Sequence, residues 1–362
     1  MAVMRRLPRA IGLSVLLLTS SAAPSKAQPL LTPSIRQSYE VGTGNRELIG
    51  IRDLYFTPSG GLVVLDQDMV LVFDAGGNER YTWGRMGDGP GEFRSPLSVA
   101  ANDSIVLVGE AGRVGMYSLD GEYIRLYRTG GPTSFVADLG FAGGTPVALT
   151  MAIMGQSAVR RLADETEIAT VEGTIRPGVL FAAVPTMTTT ADGRAVTSLG
   201  SEYSLEVVDV ATAEHLNGVR RDVEVRSVTT GFKDKMMGYL EDPSSAPEGW
   251  SQWVGTRPTP AAVLSRIQFA ETFPVVSRMF AGPGRALWVQ RGIGVGDDRA
   301  PPIDPPSAEF TSFDLFDLVS YEYRGVVQLP GDFQPMAATD THIAGVVTSR
   351  LVPAIRVLEL GF

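Results

Sequence analysis

Three carboxylates lie at similar places along the sequence and are the first candidates for chemistry. Asp66 and Glu110 each end a short apolar run, GLVVLD and SIVLVGE, and Glu202 follows a third such run. If these oxygen ligands converged they could hold calcium, which takes about six to eight oxygens. Each could instead cap its own loop by accepting backbone N–H hydrogen bonds, and we favour this interpretation.

Histidine and cysteine chemistry is limited in this chain. It has two histidines, His215 and His342, and no cysteine, which excludes a site of three histidines, a thiolate metal site and a cysteine nucleophile. G-x-S-x-G, H-E-x-x-H and S-x-x-K motifs with supporting partners are absent from the sequence. We therefore predict no catalytic residue, and the sequence leans towards a protein that is not an enzyme.

Aromatic and basic residues suggest a binding surface instead. Trp250 and Trp253 lie three apart in the polar segment PEGWSQWVG, and with Arg113 and Arg291 they could form a platform for a sugar or an acidic peptide. The two tryptophans could equally pin their segment to the rest of the protein. The sequence leaves both interpretations open.

An internal repeat predicts the elements that position these residues. Residues 48–93 and residues 94–131 align with each other at an offset of 44 positions. The alignment matches Val64 with Val108, Asp66 with Glu110, and Gly77 with Gly121. Each unit has the pattern of four short strands joined by glycine-rich turns, which is typical of a β-propeller blade.

Weaker copies of the unit begin near residues 135, 185, 273 and 334. The sixth has room for only three strands, so we expect residues 35–41 (IRQSYEV) to supply the fourth and close the ring. The predicted fold is all-β, a six-bladed propeller of four-stranded antiparallel blades spanning residues 28–362.

The run GRMGDGPGEFRSPLSVA, followed by a strand pair and a glycine turn, resembles the NHL-repeat and related six-bladed propellers of exported bacterial proteins. The motif-level similarity covers residues 48–131. Members of this group include binding scaffolds, lyases and calcium-dependent hydrolases, so the resemblance implies the fold more strongly than the function.

The glycine-rich segment WGRMGDGPGEFRSP is predicted to join blade 1 to blade 2. A phosphate-binding loop would lead into a helix and usually offer a lysine, and this segment does neither. We expect Phe93 to wedge between the two blades.

Two insertions are predicted on one face of the propeller. Residues 223–272 lie between blades 4 and 5, and residues 292–311 lie between the second and third strands of blade 5. Both connections belong to the same rim, and loops on a rigid scaffold commonly carry binding groups. Within the first insertion, PTPAAVLSRIQFAETF has a proline start and helical spacing of apolar residues, which predicts one amphipathic helix.

Residues 1–27 have the pattern of a cleaved secretory signal: a basic start, an apolar run too short to span a bilayer, and small residues up to Ala27. Cleavage there would take the formal net charge from −9 to −13 by removing four positive charges. We expect a periplasmic or secreted protein with no lipid-anchor cysteine and no transmembrane segment in the mature chain. An acidic chain is a poor candidate for nucleic acid.

Two functions follow from these observations. The first is a noncatalytic binding or scaffold propeller, expected to be monomeric, that recognises a small molecule, a glycan or a protein on the insertion-bearing face. It would need no cofactor. The alternative is a calcium-dependent hydrolase or lyase using Asp66, Glu110 and Glu202 at the mouth of the central channel.

Overall fold

The computed structural model describes residues 29–42, 47–89, 91–131, 133–153, 155–171, 178–246, 257–295, 310–350 and 352–362. Six sheets of antiparallel strands form the six blades, each running from an inner first strand to an outer fourth strand. The strands of blades 1 to 3, in that order, are Ile51–Phe56, Leu62–Asp66, Met69–Phe73 and Glu79–Trp83; Ser98–Ala101, Ile105–Glu110, Arg113–Ser118 and Tyr123–Arg128; and Ser134–Ala142, Thr145–Ala152, Ser157–Arg161 and Thr166–Val171. Those of blades 4 to 6 are Thr186–Thr189, Arg194–Ser198, Ser204–Asp209 and His215–Arg220; Val276–Gly282, Ala286–Arg291, Phe310–Asp317 and Tyr323–Pro330; and Phe333–Ala338, His342–Val347, Ala354–Gly361 and Ser34–Val41.

Burial follows the position of a strand in its blade. The two middle strands of blade 1, LVVLD and MVLVF, are buried almost throughout, because both of their faces pack against neighbouring blades. The outer strand ERYTW is mostly exposed. Continuous apolar runs therefore mark middle strands, and polar runs mark the rim of the disc.

The ring closes as the sequence predicts. Ser34–Val41 pairs antiparallel with Ala354–Gly361 and forms the fourth strand of blade 6, so strands from the two ends of the sequence share one blade. The short strand Leu30–Leu31 adds a fifth, parallel strand to the outer edge of blade 5, which the sequence analysis did not predict.

Phe93 lies fully buried between blades 1 and 2, where the sequence analysis placed it. Its ring centroid is 5.9 Å from that of Trp83 and 5.8 Å from that of Tyr117. The N–H of Phe93 donates to the carbonyl of Arg85 at 2.8 Å, so the glycine-rich segment folds back on itself. It is a joint between blades.

The insertion between blades 4 and 5 is partly helical, as predicted, but its main helix differs from the predicted one. Helix α1 spans Thr230–Glu241, and the predicted segment contains only the one-turn helix α2, Ala261–Leu264. After α2 the chain extends, and Gln268–Phe269 pairs in parallel with Val179–Leu180. The predicted segment is therefore helical over one turn and extended near its end. A single 3₁₀ turn, Pro243–Ser245, follows α1.

Helix α1 escaped the sequence analysis because Gly231 and Gly238 lower its helix propensity and only Met236 and Leu240 are buried. The side chain of Thr229 caps it by accepting from the N–H of Phe232 at 3.3 Å. Tertiary packing therefore decides the location of the helix.

Both insertions begin on the same face. The N–H of Arg226, in the first insertion, donates to the carbonyl of Gly294, in the second, at 2.8 Å, and Val225 forms a β-bridge with Val295. We call this face the insertion face. Within the described ranges, neither helix has the length and apolar character needed to cross a bilayer.

Candidate functional site

The first strands of the six blades surround a central channel that holds two adjacent cavities. The upper cavity, of about 450 Å³, is lined by Leu97, Val184 and Pro185, which lie in the connections that lead into blades 2 and 4. It therefore opens towards the insertion face. The lower cavity, of about 730 Å³, is lined by turns between first and second strands, such as Pro58–Gly60, and opens on the opposite face.

Four charged side chains line the upper cavity: Arg52 is exposed, and the other three are half-buried. Asp53 belongs to blade 1, Asp138 to blade 3 and Arg278 to blade 5, so they alternate around the six-bladed ring. In each strand the pairing register shifts immediately before the charged residue, which marks a β-bulge. Bulges re-aim side chains and are frequent beside functional sites.

Backbone hydrogen bonds hold the two carboxylates. Asp53 accepts from the N–H of Leu54 at 2.9 Å and from the N–H of Val99, in the next blade, at 2.8 Å. Asp138 accepts from the N–H of Leu139 at 2.9 Å and, more weakly, from the N–H of Met187 at 3.4 Å. Each carboxylate thus links its own blade to the following one.

Arg278 makes the corresponding link from blade 5 to blade 6. Its Nη1 donates to the carbonyl of Pro335 at 2.8 Å. No nitrogen of Arg278 comes within 4.0 Å of a carboxylate oxygen of Asp53 or Asp138, although all three side chains line the same cavity. The channel therefore holds separated opposite charges.

The enclosed position of these groups changes their protonation. Burial raises the pKa of Asp53 to about 6, and the N–H of Val99 and the charge of Arg278 act in the opposite direction. Burial, reinforced by the negative charge of Asp53, raises the pKa of Asp138 to about 8. Burial also lowers the pKa of Arg278, which the two nearby carboxylates oppose.

Tyr55 lies between the upper and the lower cavity and lines both. Its hydroxyl accepts from the N–H of Phe141 in blade 3 at 3.3 Å, so the side chain reaches past blade 2. Burial raises the pKa of this phenol. The tyrosine therefore stays neutral and narrows the channel below the charged residues.

Asp66 and Glu110 occupy equivalent places, and both cap loops. Asp66 is buried and accepts from the N–H groups of Ile49, at 3.0 and 3.1 Å, and Gly50, at 2.6 Å. Glu110 accepts from the N–H of Arg94 at 2.6 Å. Each carboxylate holds the connection that enters its own blade, which is the capping role that the sequence analysis favoured.

The remaining charged candidates are each paired locally. Glu202 is exposed and lies 3.3 Å from Arg220, and Arg113 donates to Glu110 at 2.6 Å. The structure does not bring Asp66, Glu110 and Glu202 together: among the described residues, no three His, Asp or Glu side chains group closely enough to hold a metal ion. Trp250 and Trp253 lie outside the described residues, and their binding role stays a prediction.

Arg291 lies in a buried network between blades 4 and 5 and not on the binding surface that the sequence analysis proposed for it. Its Nε and Nη2 lie 3.1 and 2.7 Å from the two carboxylate oxygens of Asp314. The same carboxylate accepts from Tyr203 at 2.6 Å and Tyr323 at 3.1 Å, and Arg221 approaches it at 2.6 Å. With its side chain 1% exposed, Arg291 presents no surface to an external ligand.

Asp53, Asp138 and Arg278 were missed by the sequence analysis, although a signal exists. IRDLYF and VADLGF share Asp-Leu-x-Phe in the first strands of blades 1 and 3, and VSRMF of blade 5 carries Arg278 in the corresponding place. The bulges shift the alternation of polar and apolar residues by one position, which hides the pattern from a period-two search.

Comparison with known proteins adds a distant likeness. No protein-family model matches the chain, and no curated protein matches it in sequence. Among solved structures it is similar to the WD40 domain of Neurospora crassa Pan2, with a TM-score of 0.44 and 10% sequence identity over 85% of this chain and 74% of that chain. The functional argument therefore rests on the site itself.

Proposed function

We propose that the protein is a noncatalytic binding propeller, exported and of the NHL-repeat-like kind, that takes its ligand into the upper cavity from the insertion face. One observation carries the proposal: Asp53, Asp138 and Arg278 line one cavity of about 450 Å³ without pairing with one another. Charged groups in an enclosed space are costly unless something compensates them, and a polar ligand would do so.

Catalysis is less well supported than binding. Neither His215 nor His342 lines the upper cavity, so no histidine is placed there to activate a nucleophile, and the chain has no cysteine that could serve as one. Both carboxylates are fixed by backbone N–H groups. Fixed groups of opposite charge suit recognition of a ligand.

The insertions support the choice of face. Phe181, Phe232 and Phe273 pack edge to face, with ring centroids 4.9 to 5.4 Å apart, and join helix α1 to the connection between blades 3 and 4. Val184 and Pro185, a few residues further along the same connection, line the upper cavity. The packed insertion thus stabilises part of the cavity wall.

A capture experiment tests this function. Immobilised protein is incubated with extract of the cells that make it, and the retained small molecules and peptides are identified by mass spectrometry. We expect wild type to retain a compound that Arg278→Gln loses. Equal retention by both proteins would place the binding site elsewhere.

Arg161→Gln is the matched control for this experiment. Arg161 also donates to a carbonyl of the next blade, Val210, at 2.8 Å, but it lies outside the upper cavity. The Arg161→Gln variant should retain the compound as wild type does. This result would separate loss of the binding site from a general effect of removing an arginine that links two blades.

Export is a separate part of the proposal. It is supported by the signal-like pattern of residues 1–27, and N-terminal sequencing of the native protein tests it. A start near Gln28 or Ala23 is expected, and an intact Met1 would contradict cleavage.

A further inference from the structure

The charged groups of the upper cavity define the kind of ligand that fits it. Arg278 approaches from blade 5, and Asp53 and Asp138 approach from blades 1 and 3, with more than 4.0 Å between the guanidinium and either carboxylate. A ligand between them meets positive charge on one side and negative charge on the other.

The protonation of the site near neutral pH gives the charge balance. Asp53, with a pKa of about 6, is mainly ionised, and Asp138, with a pKa of about 8, is mainly protonated. Tyr55 faces both carboxyls and is neutral, and Arg52 lines the cavity with an exposed side chain. The enclosed part of the site thus carries one positive and one negative charge, which matches a ligand with one of each.

The rest of the wall is partly apolar. Met151, Met187, Met336 and Phe280 line the same cavity. Methionine side chains adapt to irregular apolar groups. A volume of about 450 Å³ also lies within the usual range of small-molecule sites, roughly 300 to 1,000 Å³.

We propose that the upper cavity binds a small zwitterion, a free α-amino acid or a short peptide with an apolar side chain, whose carboxylate pairs with Arg278 and whose ammonium group lies between Asp53 and Asp138. This inference rests on the proposed function and names its ligand class. A guanidinium can hold a carboxylate through two parallel N–H···O bonds, and an ammonium group offers three donors to the two carboxyls.

A ligand with a single charge fits less well. A simple amine would satisfy the carboxyls and leave Arg278 without an anionic partner, and a simple carboxylic acid would do the reverse. Binding of an ammonium group beside Asp138 would also favour its ionised form, so the protein should release protons on binding near neutral pH.

Calorimetric titration tests the ligand class. The probes are L-leucine and the dipeptide glycyl-leucine, each compared with isocaproate, which lacks the amine of leucine, and isoamylamine, which lacks its carboxylate. We expect at least one zwitterion to bind about ten-fold or more tightly than both single-charge analogues. Repeating the titration in buffers with different ionisation enthalpies should reveal proton release.

Variants locate the two ends of the ligand. Arg278→Gln should weaken binding of the zwitterion about ten-fold or more and leave binding of isoamylamine little changed. Asp53→Asn should weaken binding of the zwitterion and of isoamylamine alike. Arg161→Gln is again the control. Arg278→Lys, which keeps the charge, should restore part of the affinity lost in Arg278→Gln if that variant is folded by circular dichroism.

Two results would overturn the ligand class: neither zwitterion binds, or the single-charge analogues bind as tightly as the zwitterion. Either result leaves the capture experiment free to show a different ligand in the same cavity. If captured compounds are retained equally by wild type and Arg278→Gln, the proposed site itself is wrong, and the two failures are distinguishable.

Discussion

Asp53 and Asp138 face one cavity from blades 1 and 3, where burial, reinforced by the negative charge of Asp53, raises the pKa of Asp138 to about 8. Each carboxylate also accepts an N–H from the following blade. The two residues therefore link blades together and keep the channel partly protonated near neutral pH.

The first prediction concerns the pH dependence of stability. An unfolded aspartate has a pKa of about 4, so between about pH 4 and pH 8 the folded protein binds a proton on Asp138 that the unfolded chain has lost. The free energy of unfolding should fall as pH rises through this window, by at most about 1.4 kcal/mol per pH unit for this group. The raised pKa of Asp53 should also make the free energy of unfolding fall as pH rises, up to about pH 6.

Asp138→Asn should remove the part of this slope between pH 6 and 8, because asparagine does not titrate. Urea denaturation of both proteins at pH 6, 7 and 8 measures it. Surface carboxylates such as Asp164, whose hydrogen bond with Arg161 lowers its pKa to about 2, change the free energy of unfolding only below this pH range. An unchanged slope in the variant would contradict the protonation of Asp138.

The second prediction concerns the buried network around Asp314. Asp314→Ala removes the carboxylate that accepts from buried Arg291, and we expect it to lower the free energy of unfolding by about 3 to 5 kcal/mol. Urea denaturation at constant pH measures the loss.

Glu202→Ala is the control for this network, because its pair with Arg220 is exposed and should contribute no more than about 1 kcal/mol. Similar losses in the two variants would show that the Asp314 network is not a main source of stability between blades 4 and 5.

The third prediction uses a repeated contact between blades. Gly77 and Gly121 are equivalent turn residues with φ of +81° and +93°, and a Cβ on either would lie 2.5 Å from the ring of Tyr39 or Trp83 of the preceding blade. Gly121→Ala should therefore lower the melting temperature, both through backbone strain and by displacing Trp83. We expect a loss of about 1 to 3 kcal/mol.

Gly131→Ala provides the comparison, because Gly131 has no atom within 4 Å of the added Cβ and no positive φ. Its melting temperature should stay close to that of wild type. If Gly121→Ala is equally stable, the aromatic contact does not fix the turn.

The sequence predicts the fold better than the site. Apolar runs and glycine turns repeat along the chain, and the equivalence of Asp66 and Glu110, found by sliding one unit onto the next, reappears as a shared capping role. These features are local, so the sequence carries them directly.

Tertiary features explain what sequence analysis missed. Arg291 meets Asp314 only because two adjacent strands of blade 5 pair across a long connection, and no spacing in the sequence indicates that contact. Asp53, Asp138 and Arg278 are brought to one cavity by ring closure, and the bulges before them disturb the strand periodicity.

The most direct test is calorimetric titration of the captured ligand into wild type, Arg278→Gln and Arg161→Gln. If the upper cavity is the binding site, Kd rises about ten-fold or more in Arg278→Gln and stays at the wild-type value in Arg161→Gln. An unchanged Kd in a folded Arg278→Gln would contradict the account.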